Sequence, residues 1–84
     1  MTHLWVDGEP ISVQADGNGV PISFVWWDQA HAILSITNRW RIDEGWWKER
    51  VWRECFKLLT STGWLVIIYR DLRTGDWRLQ RIYD

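Results

Sequence analysis

The side chains of this 84-residue chain that could hold a metal are His3, His31, Cys55 and scattered carboxylates. No two of them have the close spacing of a zinc site, and two histidines with one thiol are too few soft or borderline ligands. Asp43, Glu44 and Asp71 are the candidates for acid–base work, which needs two groups converging on one substrate atom. On a strand Asp43 and Glu44 point to opposite faces, so nothing pairs them. The run Asp16-Gly17-Asn18-Gly19-Val20-Pro21 has glycines but lacks the helix and lysine of a phosphate-binding loop. Cys55 has no histidine near it in sequence and reads as a small packing residue. The sequence thus predicts no catalytic residue, no metal, no cofactor and no enzyme.

The chemistry that remains is recognition. Nine residues are Trp, and each indole buries roughly 150–250 Å² and needs a partner for its N–H. A domain of this length has a narrow interior that nine indoles overfill. The doublets Trp26-Trp27 and Trp46-Trp47 sharpen the point, because extended neighbours face opposite ways. Ile22 and Phe24 share a strand face with Trp26, leaving Trp27 to be exposed. Trp47 is its counterpart in the second doublet. Arg39 and Arg41 precede that doublet and Arg53 follows it, and exposed Trp beside Arg suits a protein partner or stacked single-stranded bases. Trp27, Trp47, Arg39, Arg41 and Arg53 are therefore the expected contact residues. Loops, guanidinium stacking or a second copy of the chain are the alternative covers for the excess indoles.

The elements that must position these residues read as short strands. Hydrophobic residues make up 46% of the chain, ordinary for a globular domain, and Val, Ile and Thr far outnumber Ala. The length allows one domain, spanning residues 1–84. Its first twenty residues form an N-terminal strand and turns. Ile22 to Trp27 alternates as a strand, and a longer strand runs from about His31 to Ile42 with a bulge near Leu34, Ser35 and Ile36. Residues 43–49 fit a loop or one helical turn. Residues 50–84 read as a three-stranded meander: Arg50 to Leu59, Trp64 to Arg70 and Trp77 to Tyr83, joined by short loops that contain Gly. Trp64 to Tyr69 is apolar on both faces and belongs in the middle. The predicted fold is all-β, a small antiparallel meander of five or six strands curling into a partly closed barrel.

Charge divides the chain in two. The net charge is −1, which argues against a generic nucleic-acid coat. Residues 1–38 have no Lys or Arg and four carboxylates, while residues 39–84 hold all ten cations against seven carboxylates. Most of the cations are Arg, the better residue for bidentate and stacked contacts. A single Cys excludes an internal disulfide. The first residues lack the pattern of a secretory signal, and the longest apolar run is far short of the ~20 residues that cross a bilayer. The expectation is a cytoplasmic protein with no membrane partner.

Three stretches, Arg41-Ile42-Asp43-Glu44-Gly45-Trp46-Trp47, Tyr69-Arg70-Asp71 and Trp77-Arg78-Leu79-Gln80, together resemble a small C-terminal β domain. It is found in ImuB-type proteins, inactive relatives of Y-family DNA polymerases, and as free-standing bacterial proteins of unknown function. The similarity covers residues 40–84 well and Pro21 to Trp27 more loosely. The ending Gln80-Arg81-Ile82-Tyr83-Asp84 is closer to the free-standing members. The resemblance implies a bacterial cytoplasmic protein acting as an adaptor linked to translesion synthesis or the DNA-damage response. It also implies that Trp46 and Trp77 belong to the shared fold. The functional expectation is a non-enzymatic protein-interaction module. A single-stranded nucleic-acid binder and a self-assembling, homo-oligomeric structural domain are the alternatives.

Overall fold

The computed structural model describes residues 3–45 and 50–83. Seven strands, β1 (His3–Pro10), β2 (Ser12–Ala15), β3 (Pro21–Trp26), β4 (Gln29–Gly45), β5 (Arg50–Thr60), β6 (Leu65–Asp71) and β7 (Trp77–Tyr83), form one antiparallel sheet in the order β1-β7-β6-β5-β4-β3-β2. The all-β meander expected from the sequence is present, and β2 through β7 pair strictly in chain order. The extra strand comes from the N-terminal arm, which Ile11 breaks into β1 and β2.

That break determines the shape. Pro10 pairs with Arg78 on β7, yet Ser12, two residues on, pairs with Val25 on β3. Two residues span at most ~7 Å, so the two ends of the sheet are drawn to within that distance of each other. No ladder joins β1 to β2, so the sheet curls without closing into a barrel. Ile11 N–H donates to the Trp77 carbonyl at 3.2 Å and pins the crossing point.

β4 supplies the other bend. Its 17 residues would extend ~55 Å if straight, but the longest dimension of the molecule is 41 Å. Register shifts at Ile33/Ser35 and Ile36/Asn38 are the bulges that fold it back. The first of them falls where the sequence predicted it. The strand therefore pairs with β3 through its first residues and with β5 through the remainder.

The concave side holds the core of Phe24, Phe56, Leu58, Val66, Ile68, Leu79 and Ile82. A bulge at Gln80 in β7 turns both Leu79 and Ile82 inward although they are three residues apart. β6, expected in the middle, lies between β5 and β7. β1, the partner of β7, comes against Tyr69 at Gly8. Gly8 has φ 77°, and a Cβ there would sit 2.6 Å from the Tyr69 hydroxyl. Arg78 Nη1 donates to the Gly8 carbonyl at 3.3 Å.

Candidate functional site: an aromatic end and a cationic face

The β3–β4 hairpin is the place to begin. Trp26 pairs with Gln29, leaving Trp27 and Asp28 as a two-residue turn. Both have positive φ, 50° and 60°, the signature of a type I′ turn, which normally takes Asn-Gly. A bulky L-residue there costs roughly 1–2 kcal/mol. Trp27 is 77% exposed. Its exposure agrees with the sequence expectation, but the cause differs: it lies in the turn, where strand alternation does not apply. Ile22 was expected to share the inward face of Phe24, and it is instead exposed. The register shift between Gln14 and Ala15 makes Ile22 the extra residue of a bulge.

Trp27 caps an aromatic cluster. Its ring stacks on Trp26 at 4.9 Å, and Trp26 meets Trp5 and Trp64 edge-on at 5.7 and 6.1 Å. Beneath them His31 is buried and stacks between Phe24 at 5.1 Å and Trp64 at 5.4 Å. Among the described residues, neither His31 nitrogen nor Trp26 Nε1 has a hydrogen-bond partner. Such groups cost about 1–3 kcal/mol each when left unmade. Sequence reasoning missed Trp5, Trp64 and His31 as members of this end, because only tertiary pairing brings them together. Gly63 beside Trp64 was the one local sign of an indole at a turn.

Next to this end, the outer rows of β2, β3 and β4 hold Ser12, Gln14, Ser23, Val25, Ala30 and Ala32. No charged residue stands in these rows. Ile22 and Leu34 project at the bulges on either side, 49% and 69% exposed.

The predicted cations lie elsewhere. Arg39 is ten residues along β4 from the turn, ~30 Å of bent strand away. Arg39 and Arg41 both reach Glu54: Arg39 Nε donates to Oε1 at 2.7 Å with its Nη2 on the same oxygen, and Arg41 Nη2 stands 3.8 Å from Oε2. The Arg39 guanidinium also lies 5.2 Å over Phe56. Arg53 neighbours Glu54 on β5 and therefore takes the opposite face, 4.4 Å over the Tyr69 ring. Arg39 and Arg41 are thus engaged by Glu54 on one face and Arg53 by Tyr69 on the other, with Trp27 in the β3–β4 turn. Trp46 and Trp47 lie outside the described residues.

Two of the candidates for acid–base chemistry, Asp43 and Asp71, have structural partners. Arg50 donates two hydrogen bonds to Asp43 at 3.1 Å, holding that carboxyl below its ordinary range. Asp71 Oδ1 accepts the Arg73 N–H at 2.9 Å within the β6–β7 turn. Cys55 is buried, and desolvation pushes its thiol up to about 11. Among the described residues no three His, Cys, Asp or Glu side chains converge as a metal site would require. No helix is long and apolar enough to cross a membrane.

The chain matches no family model, no curated protein and no solved structure.

Proposed function

We propose that the protein is a non-enzymatic interaction module whose anchor is Trp27. The observation that carries this reading is an indole held 77% exposed in a turn conformation that disfavours it. A residue that costs folding energy and hides little of its own surface has its use outside the fold. Tryptophan is the side chain most enriched among the few that dominate binding energy at protein interfaces. The stacked Trp26 fixes the ring in place, so little ordering remains to be done on binding. Trp64, itself exposed and edge-on to Trp26, supplies the apolar surround on the same end as the anchor.

The partner this surface suits is a protein with an apolar pocket for the indole and a cation on its rim for Asp28. The resemblance to the ImuB-type domain points to the same class of role, an adaptor in bacterial translesion synthesis or the DNA-damage response. Arg39 and Arg41, already shared with Glu54, are spectators in this reading. Affinity capture from a bacterial lysate, comparing the wild-type chain with a folded Trp27 variant, tests it. A protein held by the wild type and lost from the variant supports the proposal. Capture of the same set by both overturns it. A second reading, self-assembly through the same end, predicts that sedimentation detects a dimer, which a Trp27 substitution dissociates.

A further inference from the structure

The opposite surface of the molecule has a different chemistry, and it does not depend on Trp27. The register places Lys57, Ile67 and Arg81 in one row across β5, β6 and β7, and Cys55, Tyr69 and Arg78 in the next. Arg53 and Asp71 follow on one side, and Leu59, Leu65 and Tyr83 on the other. Partners in a row share a face, so Arg53, Lys57, Arg78 and Arg81 stand together on the convex side with two tyrosines. Asp71 is the one carboxylate in these rows among the described residues, and its oxygen is engaged by the Arg73 N–H.

The way these cations are held separates them from the others. Arg39, Arg41 and Arg50 lie on carboxylates. Among the described residues, Arg53, Lys57 and Arg81 have no carboxylate partner and rest on rings alone, whereas Arg39 and Arg50 lie over Phe56 and Trp52 as well as on carboxylates. Arg53 is 4.4 Å over Tyr69, while Lys57 and Arg81 lie 5.2 and 5.4 Å from the Tyr83 centroid. Arg81 Nη1 also donates to the Tyr83 hydroxyl at 3.2 Å. Rings neutralise no charge, so the face keeps its positive potential while its side chains are held in place. Guanidinium planes supported on aromatic rings can stack bases on their outer side and still offer N–H groups to phosphate oxygens.

We propose that this convex β5–β6–β7 face binds single-stranded nucleic acid through Arg53, Lys57 and Arg81. Cys55 and Tyr69 are buried at the centre of the face, so its outer layer is the half-buried cations with Tyr83 at one side. On such a layer a flexible strand can lay both its phosphates and its bases. A protein partner would more often be met by a face carrying both signs of charge.

The test is fluorescence anisotropy with a labelled oligo(dT) strand over a range of salt concentrations. With three cations releasing counterions at ~0.7 each for a single strand, the slope of log affinity on log salt should be about −2. The double variant Lys57→Gln/Arg81→Gln should lose at least tenfold in affinity at low salt and bring the slope to about −0.7. A charge-matched control, Arg50→Gln/Arg73→Gln, should stay within about twofold of wild type, because Arg50 is on the other face of β5 and Arg73 lies in the β6–β7 turn outside these rows. Thermal unfolding of each variant establishes that it is folded. Absence of binding at low salt overturns the proposal, as does an equal loss in the control. Competition by inorganic polyphosphate as effective as that by oligo(dT), phosphate for phosphate, would overturn it too, since the bases would then contribute nothing. Neither outcome touches the Trp27 reading, whose test uses a different surface.

Discussion

Replacing Trp27 by Asn and Asp28 by Gly gives the β3–β4 hairpin the sequence its geometry prefers. Both positions have left-handed backbone angles, 50° and 60°, and Asn-Gly removes a strain of about 2 kcal/mol over the pair. The same change removes the stacking of Trp27 on Trp26, ~1 kcal/mol for an offset aromatic pair. Only about a quarter of the Trp27 surface is covered, some 50 Å², and at 25 cal/mol per Å² that is worth ~1 kcal/mol more. Gain and loss cancel to within about 1 kcal/mol, so the Trp27→Asn/Asp28→Gly variant should unfold within 4–8 °C or so of wild type. Trp27→Ala is the contrasting case. It keeps the strained backbone, loses the ring and should cost about 2 kcal/mol. Urea titration followed by circular dichroism measures both variants. The refuting result is equal destabilisation of the two, which would mean that the turn stores no strain and that Trp27 is simply a structural residue.

Other expectations follow from the packing. Gly8→Ala should cost about 3 kcal/mol, because it combines a positive φ with a Cβ placed 2.6 Å from the Tyr69 hydroxyl and 2.7 Å from Arg78 Cβ; thermal unfolding reads this directly, and a neutral result would contradict the docking of β1. Cys55 gives a pH dependence of definite sign. Burial raises its thiol from 9.0 to about 11 in the fold, so its contribution is complete below pH 9 and is lost as pH rises through 11. The difference is worth about 2–3 kcal/mol. Urea titrations at pH 8 and above pH 11 should show that loss in wild type and its absence in Cys55→Ala. A parallel loss in both would place the alkaline sensitivity elsewhere.

Much of this architecture was legible from local signals. Gly63 and Gly75 mark the two C-terminal turns, the apolar run after Trp64 marks the middle strand, and the uneven pattern at Leu34 marks a real bulge. The charge division also survives in space: the β2–β3 rows have no cation, while the cationic rows belong to β5 and β7. The candidate site was legible in part. Trp27 was identified as exposed, though by strand alternation, because nothing local says that a Trp-Asp pair will adopt a turn suited to Asn-Gly. Arg39 and Arg41, expected beside it, lie farther along β4 and are held on Glu54. A long strand with two bulges separates them from the turn. Lys57, Arg81 and Tyr83 escaped notice because their adjacency is a property of register, which the bulge at Gln80 shifts by one residue.

The central claim is that Trp27 is kept for a partner, and it is tested most directly with the turn-optimised variant. Quantitative affinity capture with wild type and Trp27→Asn/Asp28→Gly compares two proteins of nearly equal stability that differ in the anchor and its neighbouring Asp28 carboxylate. A hot-spot indole is worth at least 2 kcal/mol, so a specific partner should be depleted about 30-fold or more on the variant. Retention of every captured protein by the variant would contradict the account.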